Sequence, residues 1–164
     1  MIGISKLYCG TVEPSDALRY GRHSGSLPSH LLQFSADKKP VVVWNMTKAC
    51  NLRCQHCYAH ATAGPADREL STGQARAMID DLAAFGAPVI LFSGGEPLMR
   101  PDLPALARYA VGRGMRAVIS TNGTLISPDK ARELKDIGLS YVGVSLDGLQ
   151  AVHDQFRGME GAFD

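Results

Sequence analysis

Three cysteines occur in one short segment of the chain, Cys50-Asn-Leu-Arg-Cys54-Gln-His-Cys57. Thiolates are soft ligands that favour zinc or an iron–sulfur cluster, and four of them would complete a closed, structural site. Three thiolates on a four-iron cluster leave one iron without a protein ligand, so a small molecule can bind there. The spacing therefore predicts a catalytic iron–sulfur centre rather than a structural metal site.

A zinc site is the less favoured alternative for the same cysteines. It would need a fourth ligand, for which His56, His60 and Cys9 are the candidates. Cys9 lies in a segment of small residues and is more simply explained as a free thiol. The polar loops that accompany the cysteines elsewhere in the chain favour the cluster.

The elements that position the cysteines alternate between strand and helix. Four short apolar runs predict β-strands at residues 41–44, 88–92, 116–120 and 141–145. Helices are predicted from Ser71, where Gln74 completes a capping box, to Gly86, over residues 103–112, and from Ser127 to Gly138. Strands and helices that alternate in this way are typical of βα units. The sequence therefore predicts an α/β fold with about four parallel strands.

Each predicted strand is followed by a loop that could bind a ligand. The cysteine segment follows the first strand, Gly94-Gly-Glu-Pro97 the second, Thr121-Asn-Gly123 the third and Ser145-Leu-Asp-Gly148 the fourth. Ligands of parallel α/β sheets bind beyond the carboxyl ends of the strands, where such loops meet. Any one of the glycine-bearing loops alone is explained equally well as a turn. Together the four loops predict a single site.

The composition of the chain limits its class and its partners. The 164 residues carry a net charge of +1, with 45% hydrophobic and 20% charged residues, as in an ordinary globular domain. This balance gives no support to nucleic acid or an acidic membrane surface as a partner. No apolar run approaches the ~20 residues that span a bilayer, and the N-terminus has no signal-peptide pattern. We expect a cytoplasmic protein whose cysteines stay reduced.

Two segments of the chain differ in their regularity. Residues 1–39 are punctuated by glycine and proline, and we assign them to an N-terminal leader segment. Residues 40–164 form the predicted core. The chain reaches Asp164 at the point where a fourth helix should begin, so we expect an incomplete core, an unpaired outer edge on the fourth strand, and a longer parent protein.

The cysteine segment and the other three loops resemble those of the radical S-adenosylmethionine (SAM) enzymes. That family carries C-x3-C-x-Φ-C, where Φ is usually aromatic, and His56 fills this position here. The resemblance covers residues 40–161 and implies the N-terminal part of a partial (β/α)6 TIM-like barrel. It implies that Cys50, Cys54 and Cys57 ligate three irons of a [4Fe-4S] cluster, whose fourth iron is chelated by SAM. An electron from reduced flavodoxin or ferredoxin would then cleave SAM to methionine and a 5′-deoxyadenosyl radical.

The same resemblance implies the residues that contact SAM, which are Gly94, Gly95, Glu96, Asn122, Ser145, Asp147, Arg157 and Tyr58. Adjacent glycines let the backbone approach a ligand, and the Glu96 carboxylate can accept hydrogen bonds from the ligand's ammonium. Asn122 and Ser145 suit ribose hydroxyls or the carboxylate, and Asp147 suits a ribose or a nearby loop. Arg157 is assigned to the methionyl carboxylate, with a solvated helix residue as the alternative.

Three residues near the cysteines are weaker candidates. Tyr58 would pack beside the adenine, although an aromatic side chain that fills the core explains it equally well. Asn45 and Thr47 precede the cysteine loop and would line the same cavity.

The leader and the first strand point to a substrate. Three segments are similar to the leader of the 12,18-didecarboxysiroheme deacetylases of the alternative haem pathway: Ile4-Ser-Lys-Leu-Tyr-Cys-Gly-Thr-Val, Asp16-Ala-Leu-Arg-Tyr-Gly21 and Pro28-Ser-His-Leu-Leu-Gln-Phe34. Residues 40–47 are similar to that group and to the haem d1 biosynthesis enzymes. This resemblance implies the removal of acetate side chains from a siroheme-derived tetrapyrrole, giving iron-coproporphyrin III. Fuller members of the group carry C-terminal cysteines for an auxiliary cluster, which this sequence does not contain.

Two alternatives to this function remain open. A radical SAM peptide maturase of the SPASM type would share the cysteine segment, Gly94-Gly-Glu-Pro97 and Ser145-Leu-Asp-Gly148. A non-enzymatic iron–sulfur module for electron transfer would bind a cluster without responding to SAM.

Overall fold

The computed structural model describes residues 39–164 of the chain. Residues 1–38 of the predicted leader, including Cys9, lie outside the described residues. The boundary between leader and core at residues 39–40 stays a prediction.

Four parallel strands form one sheet: β1 (Val42–Asn45), β2 (Val89–Ser93), β3 (Arg116–Thr121) and β4 (Tyr141–Val144). They lie side by side in chain order, and each neighbouring pair is parallel. Each observed end lies within one residue of the predicted end, and the predicted α/β fold is confirmed. Because all four strands run in one direction, the loops that follow them lie at the same edge of the sheet.

A helix follows each strand of the sheet: α1 (Thr72–Phe85), α2 (Leu103–Gly112), α3 (Pro128–Asp136) and α4 (Gln150–Arg157). The predicted caps are present. Ser71 and Gln74 form the capping box of α1, and Gly86 ends that helix in the left-handed region at φ +86°. The Ser127 side chain accepts a hydrogen bond from Lys130 N–H at the start of α3. Within the described residues, no helix combines the length and apolar character that a membrane crossing requires.

Helix α4 corrects the expectation that a fourth helix would only begin near Asp164. It is already complete at Arg157 and ends at Gly158, which has a left-handed φ of +65°. The two side chains that α4 buries are His153 and Arg157. Both are polar, so the segment lacks the apolar stripe by which an amphipathic helix is predicted. Within residues 39–164, β4 lies at one edge of the sheet, and the prediction of an incomplete core stays a prediction.

The core lies between the sheet and the first three helices. Residues two apart on a strand share a face, and Ile90 with Phe92 and Ala117 with Ile119 are fully buried in this way. The helices contribute Ile79, Leu103, Leu106, Ala107, Ala110 and Leu134. Full burial of one large apolar side chain contributes about 1.5–3 kcal/mol. This packing fixes the strands and therefore the positions at which the four loops begin.

Candidate active site

A cavity of ≈ 380 Å³ lies beyond the carboxyl ends of the strands, and all four strand-end loops contribute to its lining. The predicted site residues that line it are Cys50, Cys54, Cys57, Tyr58, Gly94, Gly95, Asn122, Ser145, Asp147 and Arg157. The structure therefore brings these residues together around one space. Glu96, Asn45 and Thr47 are not among the lining residues.

Sequence reasoning missed two serines that line the cavity, Ser93 at the end of β2 and Ser120 near the end of β3. Each directly follows a fully buried core residue, Phe92 or Ile119. Successive side chains of a strand point to opposite faces, so both hydroxyls face away from the helices. A polar residue that alternates with core residues at a strand end is the signal that could have found them.

The sulfur of each of the three cysteines accepts a hydrogen bond. Leu52 N–H donates to Cys50 Sγ at 3.4 Å, and Ala61 N–H donates to Cys57 Sγ at 3.4 Å. Arg157 Nη1 donates to Cys54 Sγ at 3.7 Å. All three cysteines are free and partly exposed to the cavity. Donors aimed at sulfur stabilise a thiolate and a metal-bound thiolate, so the local structure suits three ligating sulfurs.

The Cys50 thiol favours its protonated form in the metal-free protein. Burial raises the pKa of this thiol, and the nearby Glu96, Cys54 and Cys57 add to the effect. The hydrogen bond from Leu52 N–H acts in the opposite direction. A bound metal would displace the proton, because thiols coordinate metals as thiolates.

The positions of the three cysteines bear on whether they hold a single metal ion or a cluster. Within residues 39–164, no three His, Cys, Asp or Glu side chains lie close enough together to hold one metal ion. A zinc ion would need four ligands around one point, and Cys9, one of the candidates for the fourth, lies outside the described residues. In an iron–sulfur cluster, separate thiolates ligate separate irons. The three free cysteines around the cavity fit that group.

The segment that leads into the cysteine loop is held by the Glu69 carboxylate, which sequence reasoning missed. Glu69 Oε1 accepts hydrogen bonds from Thr47 Oγ1 at 2.9 Å, Lys48 N–H at 2.8 Å and Ala66 N–H at 2.8 Å. Burial acts to raise the pKa of Glu69, but these bonds and the charge of Arg100 outweigh it, and the pKa lies below its usual value. Thr47 is therefore a structural residue of this segment.

Arg100 holds the same segment from the other side. Its Nη1 donates to the carbonyl of Met46 at 2.9 Å, and its Nη2 donates to the carbonyl of Leu70 at 2.6 Å. Its Nε pairs with Asp102 Oδ1 at 2.7 Å, and the guanidinium lies 5.4 Å from the centroid of the Trp44 ring. One arginine thus ties the end of β1 to the start of α1 and of α2.

Gly94 and Gly95 let two segments of the chain come together. A Cβ atom on Gly94 would lie 2.4 Å from the carbonyl oxygen of Thr47, and one on Gly95 would lie 2.3 Å from that of Ala49. Gly95 N–H donates to Thr47 O at 2.8 Å, and Glu96 N–H donates to Ala49 O at 2.7 Å. The glycines thus anchor the cysteine loop to β2 on one side and line the cavity on the other. Their approach to a ligand stays a prediction.

Glu96 lies beneath the cavity and is fully buried. Its Oε1 accepts hydrogen bonds from Thr121 Oγ1 at 2.8 Å and Leu98 N–H at 3.0 Å, and its Oε2 accepts one from Asn122 N–H at 2.8 Å. Burial raises the pKa of this carboxyl, although the three hydrogen bonds oppose the rise. Glu96 therefore ties the loop after β2 to the loop after β3. Its contact with a ligand ammonium stays a prediction.

Asn122 links the loop after β3 to the cysteine loop. Its Nδ2 donates to Asn51 Oδ1 at 3.0 Å and lies 3.9 Å from Cys50 Sγ. Its Oδ1 accepts from Thr124 N–H at 3.0 Å and Thr124 Oγ1 at 2.8 Å. The amide is thus fixed in orientation, with its donor side toward the cysteines.

Asp147 is surrounded by three basic side chains. The Nε of Arg157 lies 2.6 Å from Asp147 Oδ2, while His56 Nε2 and His153 Nδ1 lie 3.7 Å and 4.0 Å from the carboxylate. Arg157 is 8% exposed. The alternative of a solvated helix residue is therefore wrong, because most of the guanidinium is enclosed where α4 ends against the cysteine loop, while the contact of Arg157 with the methionyl carboxylate stays a prediction.

Two further predicted contacts can be placed relative to the strands. Tyr58 is 72% exposed, so it does not fill the core, and its hydroxyl lies 3.4 Å from Ser93 Oγ across the cavity. Ser145 N–H donates to Thr121 O at 3.0 Å, which sets the start of the loop after β4. Both residues line the cavity, and their contacts with SAM stay predictions.

Comparison with known proteins identifies the family. Residues 44–163 match the Radical SAM superfamily, and the chain belongs to it. Membership implies that SAM and an iron–sulfur cluster are the cofactors. Streptococcus suis SuiB, in a structure bound to precursor peptide SuiA, has the same fold, with a TM-score of 0.63 and 20% identity over 93% of this chain and 34% of that chain.

Two relatives within this superfamily are similar to the chain in sequence. The chain is 73% identical over 164 residues to the Fe-coproporphyrin III synthase of Methanosarcina barkeri (strain Fusaro / DSM 804), which covers 100% of this chain and 41% of that protein. It is 45% identical over 126 residues to the Pre-heme d1 synthase of Dinoroseobacter shibae (strain DSM 16493 / NCIMB 14021 / DFL 12), over 77% of this chain and 31% of that protein. The chain thus spans less than half the length of either relative.

Proposed function

We propose that Cys50, Cys54 and Cys57 hold a [4Fe-4S] cluster with one iron open to SAM. We further propose that the substrate is 12,18-didecarboxysiroheme, from which acetate side chains are removed to give iron-coproporphyrin III. The observation that carries the chemistry is the gathering of three hydrogen-bonded thiols and three SAM-type loops around one cavity. The similarity to Fe-coproporphyrin III synthase supports the choice of substrate.

The bound cofactors would supply a 5′-deoxyadenosyl radical, which abstracts hydrogen from the substrate. The protein's own residues position and shield this chemistry. Asn122 and Ser145 would bind ribose hydroxyls or the carboxylate of SAM, and Tyr58 would pack beside the adenine. The backbone of Gly94 and Gly95 lines the cavity and would lie against SAM, while their missing side chains make room for the carbonyls of Thr47 and Ala49.

The proposal requires a reducing setting and an external electron donor. The donor would be a reduced flavodoxin or ferredoxin, and the compartment would be the cytoplasm, where thiols stay reduced and available for iron. The substrate would be a tetrapyrrole held at the open side of the cavity.

Peptide modification is the second candidate for the same chemistry. It is favoured by one observation, the shared fold with SuiB, whose structure holds a precursor peptide. The two candidates differ in substrate alone, so a product assay separates them.

The test is an anaerobic assay of the cluster-loaded protein with SAM, a reductant and 12,18-didecarboxysiroheme. We expect 5′-deoxyadenosine together with loss of the acetate groups from the tetrapyrrole, both followed by mass spectrometry. The Cys54→Ala variant is the control and should form neither product. Formation of 5′-deoxyadenosine without any change in the mass of the tetrapyrrole would contradict the substrate.

A further inference from the structure

The C-terminal turn of α4 ends directly on the cysteine loop. Its last carbonyls accept hydrogen bonds from that loop: Phe156 O from Gln55 N–H at 2.9 Å, and Arg157 O from Arg53 N–H at 3.1 Å. A Cβ atom on Gly158 would lie 2.6 Å from the carbonyl oxygen of Arg53. The loop therefore supplies donors that the helix end lacks, and the two elements are held in contact.

This contact places two opposite charges beside one of the cysteines. Arg157 Nη1 donates to Cys54 Sγ at 3.7 Å, and Arg157 Nε lies 2.6 Å from Asp147 Oδ2. The Nε–H is not aimed at that oxygen and has no hydrogen-bond partner within residues 39–164. The contact with Asp147 is therefore an ion pair at short distance rather than an aligned hydrogen bond. The sulfur is the acceptor toward which a guanidinium N–H of Arg157 points.

Asp147 is fixed on the far side of Arg157 by a buried histidine. Asp147 N–H donates to His153 Nδ1 at 3.2 Å, and His153 is 2% exposed. The order in space is then His153, Asp147, Arg157 and Cys54. The Arg157 guanidinium is buried, so its charge is screened less by solvent than a surface charge, whereas the Asp147 side chain is 24% exposed and its charge is screened more.

A charge beside a ligating sulfur changes the reduction potential of a cluster. Reduction adds one negative charge, which a guanidinium stabilises and a carboxylate destabilises. Hydrogen bonds to the sulfurs and net charge are among the features that set cluster potentials. A guanidinium keeps its charge at every pH in use, so its effect is constant.

We propose that Arg157 and Asp147 set the reduction potential of the cluster as an opposed pair. Arg157 raises the potential through Cys54, and Asp147 moderates that rise through Arg157. Both are positioning residues in this role, because they act on the cluster through a ligand. The inference rests on the proposed function only in requiring that the cysteines hold a cluster, whatever the substrate.

The test compares Arg157→Met and Asp147→Asn in cluster-loaded protein. Iron and sulfide content are measured first, and the midpoint potential is then measured by a redox titration followed by EPR. We expect the potential to become more negative in Arg157→Met and more positive in Asp147→Asn. A residue with a purely structural role would change the cluster content without shifting the potential of the clusters that remain. Arg157→Lys, which keeps the charge, should lie closer to the unchanged protein than Arg157→Met.

Arg53→Met is the matched control, since Arg53 lies in the same loop and its side chain is exposed. It removes the same charge and should leave the potential unchanged. Equal potentials in both test variants, or shifts in the same direction, would overturn the inference while leaving the proposed cluster intact. If the protein without substitutions binds no cluster, both the proposed cluster and the proposed tuning of its potential are overturned. Failure of the tuning alone is therefore distinguishable from failure of the proposed function.

Discussion

At the scale of single residues, several side chains that resemble ligand contacts also build the cavity. Glu96 accepts three hydrogen bonds from the chain, and Asn122 holds both Asn51 and Thr124. Arg157 contacts both Cys54 and Asp147. The sequence reveals the chemical type of each residue, but which of its atoms are already engaged depends on loops far away in the chain.

Glu69 gives a prediction at this scale, because one of its oxygens holds the segment before the cysteines. The change Glu69→Gln should lower the free energy of unfolding at pH 7 by about 1–3 kcal/mol, since bonds to a charged acceptor are stronger than those to an amide. The pKa of Glu69 is lower in the folded state, so its stabilisation is complete above its ordinary value of about 4.5 and is lost as the pH falls through the folded value.

Urea unfolding of both proteins at pH 7 and near pH 3 measures this effect. The free energy of unfolding should differ clearly between Glu69→Gln and the unsubstituted protein at pH 7, and this difference should shrink at the acidic pH. Glu160→Gln, which changes an exposed carboxylate, is the control and should alter stability by less than about 0.5 kcal/mol. A difference between Glu69→Gln and the unchanged protein that grows on acidification would refute the role given to Glu69.

At the scale of elements, helix ends could be predicted where neighbouring residues cap them, and helix α4 could not be predicted because it lacks a local pattern. Ser71, Gly86 and Ser127 define helix ends through caps within their own neighbourhood, so those ends are visible in the sequence. Helix α4 escapes prediction because the side chains it buries, His153 and Arg157, are polar. Their burial depends on Asp147 and the cysteine loop, which no local pattern records.

The contact between the Gly94–Gly95 turn and the cysteine loop gives a prediction at the scale of elements. The change Gly95→Ala would place a Cβ 2.3 Å from Ala49 O and 2.7 Å from Lys48 O, and backbone atoms cannot move away cheaply. We expect a loss of about 1–3 kcal/mol in the free energy of unfolding, together with reduced iron incorporation.

Gly73→Ala is the matched control for this substitution. Gly73 lies in α1, and a Cβ there meets nothing within 4 Å. Gly73 lies in the first turn, so alanine there should leave the free energy of unfolding unchanged or raise it by less than about 1 kcal/mol. Urea unfolding of the two variants in parallel measures the contrast, and equal stability for Gly95→Ala and Gly73→Ala would show that the turn is not tightly packed.

At the scale of the whole molecule, the parallel sheet turns distant segments into neighbours. Residues as far apart as Asn51 and Asn122 meet because each lies in a loop that follows a parallel strand, and these loops lie at the same edge of the sheet. That convergence could be predicted from the alternation of strands and helices alone. The supporting contacts of Glu69, Arg100 and α4 could not, because each links segments through single polar atoms whose partners are set only once the fold has formed.

The proposed chemistry depends on a cluster that three cysteines hold and that leaves one iron open to SAM. The most direct measurement is the EPR spectrum of the anaerobically reduced, cluster-loaded protein, recorded without and with SAM. Binding of the amine and carboxylate to the open iron should change the spectrum on addition of SAM, and the Cys54→Ala variant should show little signal in either condition. A cluster signal that is identical with and without SAM would contradict an open iron and would favour an electron-transfer module.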